Sequence, residues 1–397
     1  MVSKKLAING GEPVRKEKLP RGLDFGREYY DIISNILKSG ILSKSEPDSY
    51  VVEFEKKFAE YHDVKYAVST NSGTAALHVA LTSVHLNPGD EVIVPSFTFA
   101  SPALVTLQCT SFPVFSDIDP QTYCIDPKDV EQKITDKTKA IIPVHLFGHP
   151  ADIISLQKIA DRNEIKIIED ACQAHGAKLD GKLIGSFGNL TCYSFNQSKN
   201  MTTGEGGMIL CDDENLIEEL YEISRLGISR KSGLPYDYTR IGFNYIMTEF
   251  EAAIGILQLS KLNEFNKKRI EISEYYSERL RETDLKTPES NKNVYHVRHN
   301  YPVLLPKDKV DKRDWFIKAA RAEGIPLAVN YPSPLYESMR YLNDVKINGE
   351  KRDYNNCSCP IAKDVSSRLI TLFTDPIIDN QLREDICNAI IKVYDNM

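Results

Sequence analysis

One lysine, Lys199, stands in the run SFNQSKNMTTGEGGMIL (194–210), set among polar residues and followed by three glycines and an apolar stretch. The chemistry open to its amine is attack on a carbonyl to form an imine. A surface loop would account for the residue equally well. The covalent reading therefore depends on whether the rest of the chain supplies partners for the amine.

The carbonyl such a lysine would hold is that of pyridoxal phosphate. This cofactor also needs an anion at its pyridine nitrogen, a cradle for its phosphate and a flat apolar surface for its ring. The run IKIIEDACQAHGA (165–177) is an apolar strand that ends in two carboxylates, Glu169 and Asp170. Ligands of open α/β sheets gather at the carboxyl ends of strands, so Asp170 is placed to pair with the pyridinium. Gln173 or His175, a few residues on, could reach the ring's phenolic oxygen. In STNSGTAALHVAL (69–81) a strand ends, a turn carries Ser72, Gly73 and Thr74, and an Ala/Leu-rich helix begins. Backbone N–H groups at a helix start suit a dianion. In PSFTFASPALV (95–105), Phe97 and Phe99 share one face of an extended segment and offer the ring a surface. Ser194, five residues before Lys199, could add a hydroxyl to the phosphate. Each piece has a plain alternative: a helix cap, a core phenylalanine, a surface charge. Their order is more telling: cradle, aromatic, strand-end Asp, then Ser and Lys.

The elements that must position these residues are legible as a repeating pattern. Apolar runs at 66–70, 91–96, 112–118, 140–147, 165–170 and 189–195 alternate with helical stretches. Runs of this length separated by helices predict parallel strands covered on both faces. The expected architecture is a large α/β/α sandwich over residues 1–264. A long helical stretch ending near residue 281 leads into a smaller α+β domain, expected over 265–397.

Composition narrows the class further. A formal net charge of −7 and the lack of a long basic run give nucleic acid no footing as a partner. No apolar stretch reaches the roughly 18–20 residues of a membrane span, and the opening MVSKKLAINGGEPVRKEKLP does not read as a signal peptide. Eight scattered cysteines, among them Cys192, Cys211 and Cys387 in apolar segments, read as free thiols in a reducing cytoplasm. Cys357 and Cys359 form a lone CxC without a second pair, so no metal site is expected.

Taken together, the stretches LAINGGEPVR, FEKKFAEYHDVKYAVSTNSGTAALHVAL, GDEVIVPSFTFASPA, PVHLFGHPADI, EDACQAHGA, SFNQSKNMTTGEGGMIL, GFNYIMTEFEAAIGILQL and GIPLAVNYPSPLY resemble the DegT/StrS family of pyridoxal phosphate-dependent sugar aminotransferases along almost the whole chain. The resemblance implies the fold-type I architecture and a set of roles. Lys199 would hold the cofactor and shuttle a proton, Asp170 would pair with the pyridinium and Gln173 would contact the ring oxygen. Ser72, Gly73, Thr74 and Ser194 would bind the phosphate, Phe99 would cover a ring face, and His175 and Tyr331 would face the substrate. Asn244 of GFNYIM would reach the neighbouring subunit's phosphate, giving a homodimer with shared active sites. The implied reaction moves an amino group from an amino acid, L-glutamate, to a ketosugar, nucleotide-linked. The alternative is glutamine-dependent amination of a cyclitol ketone. Relatives that deoxygenate sugars carry histidine in place of the lysine, and Lys199 speaks against that reaction; Lys199 and Asp170 also speak against a non-catalytic, regulatory binder of the cofactor. Two departures stand out. Ile246 occupies a position where many relatives have arginine, and ILSKSEPDSYVVEFE (41–55) is poorer in glycine than its counterparts.

Overall fold

The computed structural model describes residues 5–20, 25–43 and 47–397. Residues 1–4, the start of the opening that does not read as a signal peptide, and residues 44–46 within the 41–55 stretch lie outside the described residues.

The apolar runs form β1 (Tyr66–Thr70), β2 (Glu91–Pro95), β3 (Phe112–Ser116), β4 (Thr138–Ile141) and β5 (Lys166–Asp170). A short pair, β6 (Lys178–Leu179) and β7 (Lys182–Leu183), precedes β8 (Leu190–Ser194) and β9 (Gly207–Cys211). Seven of these make one sheet in the order β1-β9-β8-β5-β4-β2-β3. Pairings from β3 across to β8 are parallel, and β9 alone runs against both of its neighbours. The fold is the expected α/β architecture with a mainly parallel sheet. Strand β4 is shorter than the apolar run that announced it. Pro143, which has no N–H to give a ladder, follows it, and the chain leaves the sheet toward a 3₁₀ turn at Leu146–Gly148.

Helices α1 (Arg27–Ser39) and α2 (Tyr50–His62) precede β1, and α3 (Gly73–Thr82), α4 (Ser101–Gln108), α5 (Pro127–Lys133), α6 (Ile153–Asn163) and α7 (Glu214–Ser224) connect the strands. Most central strand positions are fully buried, as a sheet covered on both faces requires. The long helix α8 (Glu249–Arg279) starts at a capping box, with Thr248 and Glu251 each bonding the other's backbone. Beyond it come β10 (Val294–Tyr295), β11 (Tyr301–Leu304), α9 (Arg313–Ala322), α10 (Leu335–Ser338), α11 (Pro360–Arg368), β12 (Leu369–Leu372) and α12 (Asn380–Tyr394). β10 joins β6 and β7 in a small sheet, and β11 pairs with β12. Ile272 and Tyr276 of α8 share a second core with Phe316, Ile370, Ile386 and, from the start of the chain, Leu6.

Candidate active site

The parallel strands all end at one edge of the sheet, and the chemistry-bearing residues collect there. Asp170 is the last residue of β5, and Ser194 is the last of β8. The turn after β1 delivers Ser72 and Gly73 to the start of α3. Strand β9 enters from the same edge, so that Gly207 sits opposite both Thr70 and Ser194. Its glycine is required by that crowding, because a Cβ there would overlap the Ser72 carbonyl. Gly204 and Gly206 hold positive φ angles of 90° and 147° and turn the chain back from Lys199 into β9.

One cavity of about 1850 Å³ receives these ends. It is lined by Ser72, Gly73, Thr74, Phe99, Asp170, Gln173, Ser194, Lys199 and Tyr331. Phe99 is 61% exposed and free to cover a flat ligand, whereas Phe97 is fully buried against Tyr331. The adjacent carboxylates of β5 point to opposite faces. Glu169 is buried against His145 Nε2 at 3.0 Å and Asn189, while Asp170 lines the cavity with Oδ1 accepting from the Cys172 N–H at 3.0 Å. The His145 backbone N–H donates to the Asp170 carbonyl, fixing the strand end beneath that carboxylate.

The Lys199 loop is anchored from behind. The Asn200 amide donates to Asn266 Oδ1 of α8 at 2.9 Å and to the Val297 carbonyl, and its Oδ1 lies 3.1 Å from His299 Nδ1. Burial, and after it the charge of Lys199, pushes His175 down to about 3 and His299 well below the usual histidine range. Both imidazoles therefore stay neutral beside the lysine.

Two expected residues lie elsewhere. His175 does not line the cavity; it is fully buried between Tyr193 and Phe195, and neither ring nitrogen has a hydrogen-bond partner. It falls in a tight turn after β5 that carries it under the sheet edge. Asn244 is exposed, bridges Arg225, and is not part of its own chain's cavity wall. Ile246 beside it is half-buried.

Two cavity-wall hydroxyls were not foreseen, and the expected Gln173 has hydrogen-bond partners that its place in the sequence did not announce. Thr98 is buried in the cavity wall with no partner for its hydroxyl; it lies between the two phenylalanines and signals nothing by its type. Ser101 meets the Thr74 hydroxyl at 2.7 Å. Gln173 is held at both ends, its Oε1 accepting from the Phe147 N–H at 2.8 Å and its Nε2 donating to the Tyr331 hydroxyl at 3.0 Å.

The arrangement fits pyridoxal phosphate. At Gly73 a Cβ would stand 2.9 Å from Cys172 Sγ and 2.5 Å from Ser194 Cβ, so only glycine keeps the cradle open. The orphaned Thr98 hydroxyl, a buried carboxylate with one oxygen unpaired and a half-buried amine supply the polar groups the cofactor calls for.

Comparison with known proteins agrees. The chain is 33% identical over 352 residues to GDP-perosamine synthase of Escherichia coli O157:H7, covering 88% of this chain and 92% of that protein. It is 31% identical over 416 residues to L-glutamine:2-deoxy-scyllo-inosose aminotransferase of Micromonospora echinospora, covering 98% of each. It superposes with a TM-score of 0.83 at 30% identity on the X-ray structure of S. venezuelae DesV in complex with a ketimine intermediate, over 91% of this chain and 93% of that one. Residues 25–391 match the DegT/DnrJ/EryC1/StrS aminotransferase family. The chain belongs to that family and is a pyridoxal phosphate-dependent aminotransferase of the fold-type I class.

Proposed function

We propose that the enzyme transfers an amino group from L-glutamate to a ketosugar carried on a nucleotide. The observation that supports this most is the meeting of Lys199, Asp170 and the Ser72–Thr74 turn on one cavity, although they lie far apart in the chain. Bound pyridoxal phosphate supplies an electron sink that acidifies the carbon bearing the substrate nitrogen. Lys199 would hold the cofactor through its amine, and that amine is the group placed to take and return the proton of the substrate carbon. Asp170 keeps the pyridine nitrogen protonated. The α3 N–H groups, with Ser72, Thr74 and Ser194, hold the phosphate, and Gln173 orients the ring oxygen.

Phe99 closes one ring face. Asn244 acts on the neighbouring subunit, a reading supported by its exposure outside its own cavity. The excursion leading to it carries Leu234, Tyr236, Tyr238 and Ile241 exposed by 61% or more, an apolar surface that suits a partner copy. The division into 1–264 and 265–397 belongs to this reading, with the join inside α8. So does a cytoplasmic location: all eight cysteines are free, and no helix among the described residues is long and apolar enough to cross a membrane.

The inosose aminotransferase relative, matched over 98% of both chains, supports a second reading in which glutamine aminates a cyclitol ketone. Adding glutamate or glutamine to the loaded enzyme and following the cofactor's absorbance identifies the donor. Challenging the aminated form with nucleotide-ketosugars and cyclitol ketones identifies the acceptor. Turnover of nucleotide-ketosugars supports the proposal, and turnover of free cyclitols alone overturns it.

A further inference from the structure

The opening stretch INGGEPVR has no part in the chemistry above, yet it is tied down by buried charge. Glu323, fully buried at the end of α9, accepts from the Ala7 N–H at 2.8 Å and the Val14 N–H at 3.1 Å, and its carboxylate pairs with Lys392 of α12 at 2.8 Å. Lys392 also donates to the Glu12 carbonyl. Gly324 passes so close that a Cβ would overlap the Arg15 carbonyl. Arg15 is then fixed by Asp385 at 2.8 Å, with both side chains 13% exposed. A buried carboxylate and ammonium serve each other and the backbone here, so the segment is a fixed wall.

What that wall presents is positive. Arg15, Lys16 and Lys18 line the active-site cavity together with Arg321 from α9; Lys16 also pairs with Glu12 at 2.7 Å, and of the carboxylates on that lining besides Asp170, Glu205 accepts from Asn196 and Asp375 from Arg269, which leaves Glu17. Glu17 is 83% exposed and already engaged with Arg15. Neither Lys18 nor Arg321 has an ion-pair partner among the described residues. In a chain of net charge −7, a cationic mouth attracts anions.

From that mouth the chain runs inward. Gly324, in a turn with a φ of 91°, and after it Pro326, Ala328 and Asn330 at alternate positions line the cavity as a strip, with Ala328 bridging Thr371, and none of the four is bulky. The strip ends at Tyr331, whose hydroxyl accepts from Gln173 beside the reacting centre. Its φ of 56° turns the chain at that point.

We infer that the strip 324–330 is the acceptor groove and that the cations of the 15–18 wall and Arg321 bind the diphosphate of the acceptor. This rests on the proposed nucleotide-linked ketosugar. Glu323 is the positioning residue that holds the wall in place.

The experiment uses the loaded enzyme and the Lys18→Ala/Arg321→Ala variant, both exposed positions that leave the core intact. Binding of GDP, UDP and dTDP is measured by calorimetry at low and high salt, alongside the half-reaction with the amino donor. The expected result is that at least one nucleoside diphosphate binds the parent. In the variant its affinity falls ten-fold or more, its salt dependence becomes shallower, and the donor half-reaction is unchanged. Equal affinity in parent and variant overturns the inference while leaving the nucleotide-linked acceptor standing. If no nucleoside diphosphate binds the parent and a free cyclitol ketone is aminated, the inference and that acceptor class fall together.

Discussion

At the scale of single residues, charge and hydrogen bonding make separable predictions. Asp170→Asn keeps the shape of the strand end but removes the anion that would hold the pyridine nitrogen protonated. We expect turnover to fall by about three orders of magnitude or more, with cofactor still bound, which absorbance and single-turnover kinetics would register together. Turnover near that of the parent would refute the role. Tyr331→Phe is a subtler change. It leaves the Gln173 amide without its partner, a loss of about 1–3 kcal/mol for a buried donor, so turnover should drop about ten-fold. Burial pushes the Tyr331 phenol up to about 12, so it stays protonated throughout the working range. The pH–rate profile between pH 7 and 9 should therefore keep its shape in the variant. A profile that changes shape there would mean that the phenol titrates during catalysis.

At the scale of elements, the site depends on β9 entering antiparallel between β1 and β8. Gly207→Ala would drive a Cβ into the Ser72 carbonyl at the cradle, and overpacking of this kind costs about 1–3 kcal/mol. Cofactor affinity should weaken at the same time as the melting temperature falls, because Ser72 caps α3 at the turn proposed to hold the phosphate. A variant that melts early but binds the cofactor as tightly as the parent would separate β9 from the cradle. The major strands were legible because each is a continuous apolar run bounded by helix-forming sequence, and the residues at their carboxyl ends could be picked out in advance. Pro143 shortened β4 by a rule the sequence carries openly. Other features had no local signal. Strands β6, β7 and β10 are two residues long; β6 and β7 pair locally, while β10 joins β6 from more than a hundred positions away. The docking of residues 7–14 depends on Glu323 and Lys392, whose charges look like ordinary helix ends until the chain is folded. His175 has a type suited to catalysis, yet the tight turn that follows β5 buries it. Thr98 is a cavity-wall hydroxyl with nothing in its neighbourhood to single it out.

At the scale of the whole molecule, burial fixes a response to acid. His62 and His149 are pushed down to about 4 and His175 to about 3, in each case chiefly by burial. In the unfolded chain they titrate near 6.5. Neutral in the fold and protonated when unfolded, they contribute stability that is complete above pH 6.5 and is lost as the pH falls toward 4. Each histidine contributes a slope of about 1.4 kcal/mol per pH unit in that window. Melting temperatures should decline from pH 7 to pH 5, and a flat profile would contradict the buried neutral state. Assembly can be tested by mixing a Lys199→Ala chain with an Asn244→Ala chain. If Asn244 completes the neighbour's site, each mixed dimer contains one intact site, and activity returns when the two impaired parents exchange subunits. Exchange without recovery would place Asn244 within its own chain's work.

The account as a whole stands on Lys199 as the residue that holds the cofactor. The most direct measurement is borohydride reduction of the loaded enzyme followed by peptide mapping. The account predicts a yellow protein whose visible band is bleached and whose reduced cofactor is found on Lys199, with Lys199→Ala folded but unlabelled. A cofactor label on any other lysine, or an unchanged label in Lys199→Ala, would contradict it.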